Sequence, residues 1–110
     1  MQQIPLSQIP SQSFNIVLDG QNCTVGLDWR QTRLYLDLEV EDALVCQGAI
    51  CQNLASVIWS PSHNFKGSLH FLDLEGQQPP HWEELHTGEQ GRFVLLYISA
   101  EEDLPLALRY

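Results

Sequence analysis

Positive charge is scarce in this chain: five Lys and Arg residues stand against fourteen Asp and Glu in 110 residues, a formal net charge of −9. Nucleic-acid binding draws its affinity from phosphate counterions released to Lys and Arg. The balance therefore has the wrong sign for DNA or RNA, and only Arg30 and Arg33 lie close together. The acid excess favours solubility and makes a surface that repels other polyanions. Long apolar runs are also missing. None approaches the roughly 20 residues that span a bilayer, although the hydrophobic fraction of 44% is ordinary for a globular protein, so membrane insertion is not expected. The first residues, Met1 to Pro5, carry neither the basic nor the apolar part of a secretory signal, and synthesis in a cytosol is the expectation. Cysteine is limited to Cys23, Cys46 and Cys51. An odd number in or beside strand-like runs reads as buried reduced thiols, with one disulfide as the alternative.

Catalytic signatures are lacking as well. There is no Gly-x-Ser-x-Gly elbow, no phosphate-binding glycine loop, and no cysteine next to a histidine in sequence. His63, His70, His81 and His86 show no metal-site spacing, and no cysteine pair has the gap of a zinc knuckle. Neither a metal nor any other cofactor is expected, and an enzyme is not expected. A row of carboxylates, Asp37, Glu39 and Glu41, repeats at about 7 Å by strand rise, close to a glycosidase separation. A solvated acidic strand face accounts for the same alternation.

What the chain does have is a period of two. Leu34, Leu36, Leu38 and Val40 fall on one side of a run, and Tyr35, Asp37, Glu39 and Glu41 on the other, which is the pattern of a half-buried strand. Two further alternating runs precede it, Phe14 to Leu18 and Cys23 to Trp29. The residues between them, Asp19-Gly20-Gln21-Asn22, tolerate the positive φ of a hairpin turn. Arg30 to Arg33 is a short polar connection. Glu41-Asp42-Ala43 turns the chain, and Leu44 to Cys51 returns as a strand in which Gly48 reads as a bulge or a close backbone approach. Residues 52–59 read as a further short strand or the end of the same one, stopping at the turn cluster Ser60 to Asn64. Gly67 to Leu74 is another strand. Pro79-Pro80 breaks the chain before a single helical turn around Trp82 and Leu85. Arg92 to Ile98 is apolar on both faces, as a central strand should be. Glu101-Glu102-Asp103 then closes the domain ahead of a short tail.

These elements predict an all-β domain, a compact antiparallel sandwich or barrel of six to seven strands with at most one helical turn and successive strands paired as a meander. One domain is expected over residues 13–110, preceded by an extended arm over residues 1–12, where Pro5 and Pro10 forbid a helix. The arm either straps its own domain or docks Ile4, Leu6 and Ile9 on a neighbouring subunit. Open sheet edges invite pairing with another chain, so oligomerisation is expected on physical grounds. Trp29 is in phase with the inward row of its strand. Trp82 is the candidate exposed aromatic, and with other rings it suggests a carbohydrate-binding module as an alternative.

Several short pieces carry a resemblance. Ile4-Pro5-Leu6 through Pro10-Ser11-Gln12, Leu18-Asp19-Gly20-Gln21 with Cys23, and Leu34-Tyr35-Leu36-Asp37-Leu38 come first. Gly48 to Asn53, Gly67-Ser68-Leu69 with Asp73, and Arg92 to Tyr97 follow in the same order. Together they resemble the baseplate plug proteins of the cyanophage type, found in contractile-tailed phages and prophages. The resemblance runs from Gln3 to about Ser99; the tail from Glu101 to Tyr110 departs from it. It implies a non-enzymatic structural component of the virion, seated at the tail's distal end on or inside the central hub and tube. It further implies partners among the baseplate hub or tail-tube proteins and copies of the chain itself, which help close the channel until injection. The rival expectation is a small phage-encoded adaptor or inhibitor working in the host cytosol.

Overall fold

The computed structural model describes residues 2–18, 20–53 and 67–98. The alternating runs become strands throughout. β1 covers Gln2–Ile4, β2 Ser11–Leu18, β3 Gln21–Arg30, β4 Arg33–Val40, β5 Ala43–Ile50, β6 Ser68–Asp73 and β7 Phe93–Ile98, with one 3-10 turn at Trp82–Glu84. β2, β3, β4 and β5 form a four-stranded antiparallel meander, and β1, β7 and β6 form a three-stranded antiparallel sheet in that order. β7 is the central strand of the smaller sheet, and its apolar character on both faces follows. Phe93, Leu95 and Tyr97 are buried on one face and Val94 and Ile98 on the other.

The inward rows of both sheets meet in one core. Leu34, Leu36, Leu38 and Val40 of β4 are fully buried, as are Val25 of β3, Leu69 and Phe71 of β6 and Leu95 of β7. Each such side chain contributes about 1.5–3 kcal/mol relative to exposure, so the period-two rows are the main source of stability. The molecule is thus a sandwich of two antiparallel sheets.

Turn chemistry sets the register. Leu18 pairs with Gln21 across a two-residue loop in which Gly20 holds φ +74°. Val40 pairs with Ala43 across Glu41 and Asp42, both at positive φ, which is the type I′ pattern whose twist matches that of the flanking strands. The pairing of β4 with β5 shifts register twice, and the first shift places Gly48 at φ +64°. Gly48 is therefore the bulge its sequence position suggested.

The N-terminal segment differs from the expected arm. Gln2–Ile4 pairs with β7, with Ile4 opposite Leu95, and β2 starts at Ser11. Ile4 and Leu6 are buried in the core of their own chain. A neighbouring subunit is thus not what covers them. Ile4 and Leu6, on either side of Pro5, find their nearest apolar surface on the domain that follows, and the strap reading describes residues 2–10 better than a free arm. After β5, Asn53 makes an isolated bridge to Phe71. The strand expected over residues 52–59 is described only at 52 and 53, and its remainder, the turn at residues 60–64 and the C-terminal tail lie outside the described residues.

Candidate functional site

The outward side chains of the four-stranded sheet form rows that cross it strand by strand. Asn15, Thr24, Glu39 and Leu44 make one row, and Ser13, Gly26 and Asp37 the next. Small side chains on β2 and the absence of one at Gly26 leave a trough of about 550 Å³, bounded by Ser11, Ser13, Thr24, Asp28, Asp37 and Glu39. A Cβ at Gly26 would lie 3.6 Å from Asp37 Cβ and 3.7 Å from its Oδ2, so the carboxylate leans over this floor. Arg30 is the basic residue at the rim. Its Nε donates to Asp28 Oδ2 at 2.7 Å while its guanidinium lies 5.3 Å from the centre of the Tyr35 ring.

The three carboxylates of the predicted acidic row do different things. Glu39 is exposed between Thr24 and Leu44. Asp37 is half-buried, and its Oδ1 accepts the Gly48 amide at 2.6 Å, satisfying a donor that the bulge leaves out of the ladder. Glu41 is in the type I′ turn beyond the strand, where its Oε1 accepts the Asn22 amide at 3.0 Å. Only Glu39 is therefore a plain solvated carboxylate. Asp37 lines the open trough as a member of the acidic face and also supplies the hydrogen-bond partner that the bulge needs.

Of the proposed arm residues, Ile4 and Leu6 are internal, and Ile9 remains 45% exposed. The segment is held by the loop around the 3-10 turn. Leu6 donates its amide to His86 O at 3.0 Å, Gln8 donates its side-chain amide to Leu85 O at 3.0 Å, and Gln3 Nε2 lies 2.8 Å from His86 Nδ1. Sequence reasoning missed this clasp, because no local pattern links residues some eighty positions apart.

Trp82 is half-buried and packs against the core, as does Trp29. His81 lies between them, with its ring centre 4.4 Å from that of Trp29 and 6.1 Å from that of Trp82. Its Nδ1 accepts the Glu83 amide at 3.2 Å and so caps the 3-10 turn. Trp82 is thus not a free-standing ring, because the turn that carries it folds back on the sandwich. Trp59 and His63 lie outside the described residues.

His70 is buried on β6 with Nε2 2.8 Å from Ser68 Oγ. The cysteines are all free. Burial pushes the Cys23, Cys46 and Cys51 thiols above the ordinary thiol range, and Cys51 most strongly. That environment keeps them protonated and unreactive near neutral pH. Among the described residues, no three His, Cys, Asp or Glu side chains group so as to hold a metal ion.

A second feature missed in the sequence is an ion pair beside the 3-10 turn, where the Arg92 amide donates to Glu84 O at 2.8 Å. Arg92 donates through Nε to Asp73 Oδ1 at 2.6 Å and through a terminal nitrogen to Oδ2 at 2.8 Å. Asp73 also accepts the amides of Glu75 and Gln78, both at 2.9 Å. Arg92, with those amides, holds the Asp73 carboxyl far below the usual carboxylate range. Nothing in the local sequence joins the two residues. A lone Asp at the end of a strand before a glycine-containing turn was the one available signal.

Among the described residues, the polar side chains are spread over a sheet face, strand edges and loop anchors of an all-β fold. Residues 1–101 match the family described as cyanophage baseplate Pam3 plug gp18, and the chain belongs to that family. It is accordingly a structural protein of the phage tail baseplate, located in the virion among other baseplate components. No curated protein matches the chain.

Proposed function

We propose that this protein plugs or seals the channel of the baseplate hub or tail tube, without catalysis, through contacts with hub or tube proteins and with copies of itself. The family match over residues 1–101 carries the reading. Two structural features support it. The carboxylates on the outer face of the four-stranded sheet, with the net charge of −9, oppose retention of DNA in a lumen. Ile9, exposed at the start of that sheet, supplies an apolar contact at its rim. Synthesis takes place in the host cytoplasm before the chain joins the tail.

The test is cryo-electron microscopy of tails assembled with and without the gene. Loss of axial density at the baseplate hub in the deletion, with an open channel, is the expected result. Unchanged axial density in the deletion sinks the reading.

A further inference from the structure

Among the described residues the two sheets have four edges, and they are not alike. β1 is three residues long, β6 is met by the Asn53 bridge to Phe71, and β5 is broken by two register shifts. Short length, cover and bulges are the devices that blunt an edge against pairing. Among the described residues, β2 has none of them. Its eight residues, Ser11 to Leu18, pair with β3 in unbroken register and contain no charge and no proline.

The parity of β2 shows which groups point outward. The Trp29 amide donates to Pro10 O at 2.8 Å, and Pro10 continues the register of β2 against β3. Even-numbered residues of β2 therefore exchange hydrogen bonds with β3, while the N–H and C=O groups of Ser11, Ser13, Asn15 and Val17 point away from it. Among the described residues, nothing pairs with that side of β2. The same four residues have exposed side chains, beside the trough that carries Asp28, Asp37 and Glu39.

We infer that β2 is a docking edge for an extended segment of another protein, added as a further strand and carrying Lys or Arg at alternate positions on the face shared with the trough. Main-chain hydrogen bonds to Ser11, Ser13, Asn15 and Val17 provide the attachment, and the trough provides the selectivity. Small side chains at Ser11 and Ser13 let long basic side chains lie across β2 towards Asp28 and the carboxylates beyond Gly26. A second copy of this chain is a poorer occupant. It brings another uncharged β2 and a further net charge of −9. The inference rests on the proposed seat among baseplate proteins and adds the place and chemistry of one contact.

The probe is a short fluorescent peptide of alternating Lys and Thr, with its Glu–Thr counterpart as control, titrated against the full-length protein. The Lys–Thr peptide should bind, the control should not, and binding should slow amide exchange at Ser13, Asn15 and Val17. Ser13→Pro removes an outward N–H without touching the β3 ladder, as edge strands tolerate, and should weaken binding about tenfold or more. Should that variant fail to fold, Ser13→Lys and Val17→Lys place repelling charge on the same exposed edge and should weaken binding likewise. Equal binding by the edge variants, or protection elsewhere, overturns the inference. So does sedimentation showing that the wild-type protein self-associates and that Ser13→Pro makes it monomeric. Because these readouts need no tails, their failure leaves the plug reading standing, and loss of the plug reading comes only from the tail images.

Discussion

The Asp37 carboxylate accepts the Gly48 amide at 2.6 Å across the bulge between β4 and β5. One of the carboxylates that makes the sheet face acidic is therefore also a structural fastener. Removing it leaves a part-buried amide without a partner, at about 1–3 kcal/mol. Asp37→Ala should lower stability by that amount in urea unfolding, whereas Glu39→Gln should change it by no more than about 0.5 kcal/mol. Equal effects at the two positions would remove the distinction.

Asp73 and Arg92 give a pH dependence whose sign is fixed. The Asp73 carboxyl is depressed in the folded state by Arg92 and the Gln78 and Glu75 amides, so the stabilisation is fully present above the unfolded carboxylate value near pH 4. It is lost as pH falls below that value towards the folded one. Asp73→Asn should lower stability at pH 7, since it leaves the Arg92 guanidinium without its charge partner. The gap from wild type should narrow in urea titrations at pH 3. A gap that widens on acidification contradicts the assignment.

Ile4 and Leu6 are core residues contributed by the N-terminal segment. Ile4→Ala and Leu6→Ala should each destabilise by about 2–5 kcal/mol, and deleting residues 1–12 should unfold the domain or lower its melting temperature sharply. Ile9→Ala should leave thermal unfolding nearly unchanged and, if Ile9 meets a neighbour, reduce incorporation into tails. Differential scanning fluorimetry of the three variants separates the two kinds of residue.

The thiols should be slow. Cys23 and Cys51 are buried and raised in pKa, while Cys46 is half-buried. Titration with a chromogenic disulfide near neutral pH, below the ordinary thiol value of about 8.5, should show Cys46 reacting first. All three should react promptly once denaturant is added. Rapid reaction of Cys51 in the folded protein would contradict its burial.

Much of the fold was legible because period-two alternation constrains which face is buried. Leu34 to Val40, the Gly48 bulge, the central apolar strand Arg92 to Ile98 and the turn at Trp82 all follow from local pattern and turn chemistry. The acidic face was legible as composition, but the separate duties of Asp37 and Glu41 were not, because they depend on what lies opposite across a sheet. The destination of the N-terminal segment was equally hidden. Prolines show that it is extended, yet whether Ile4 meets its own β7 or a neighbour is settled by contacts between the ends of the chain. Asp73 and Arg92, and the clasp of Leu6 and Gln8 by the loop at Leu85 and His86, were invisible for the same reason.

The unbroken register of β2 has a consequence for how this chain tolerates change. Inward and outward positions interleave one by one, so Phe14, Ile16 and Leu18 answer to the interior while Ser11, Ser13, Asn15 and Val17 answer to whatever adjoins the molecule. Replacement at one set barely disturbs the other. Inserting or deleting a single residue there, by contrast, trades the two sets wholesale, so in this strand the count of residues is less free to vary than their identity.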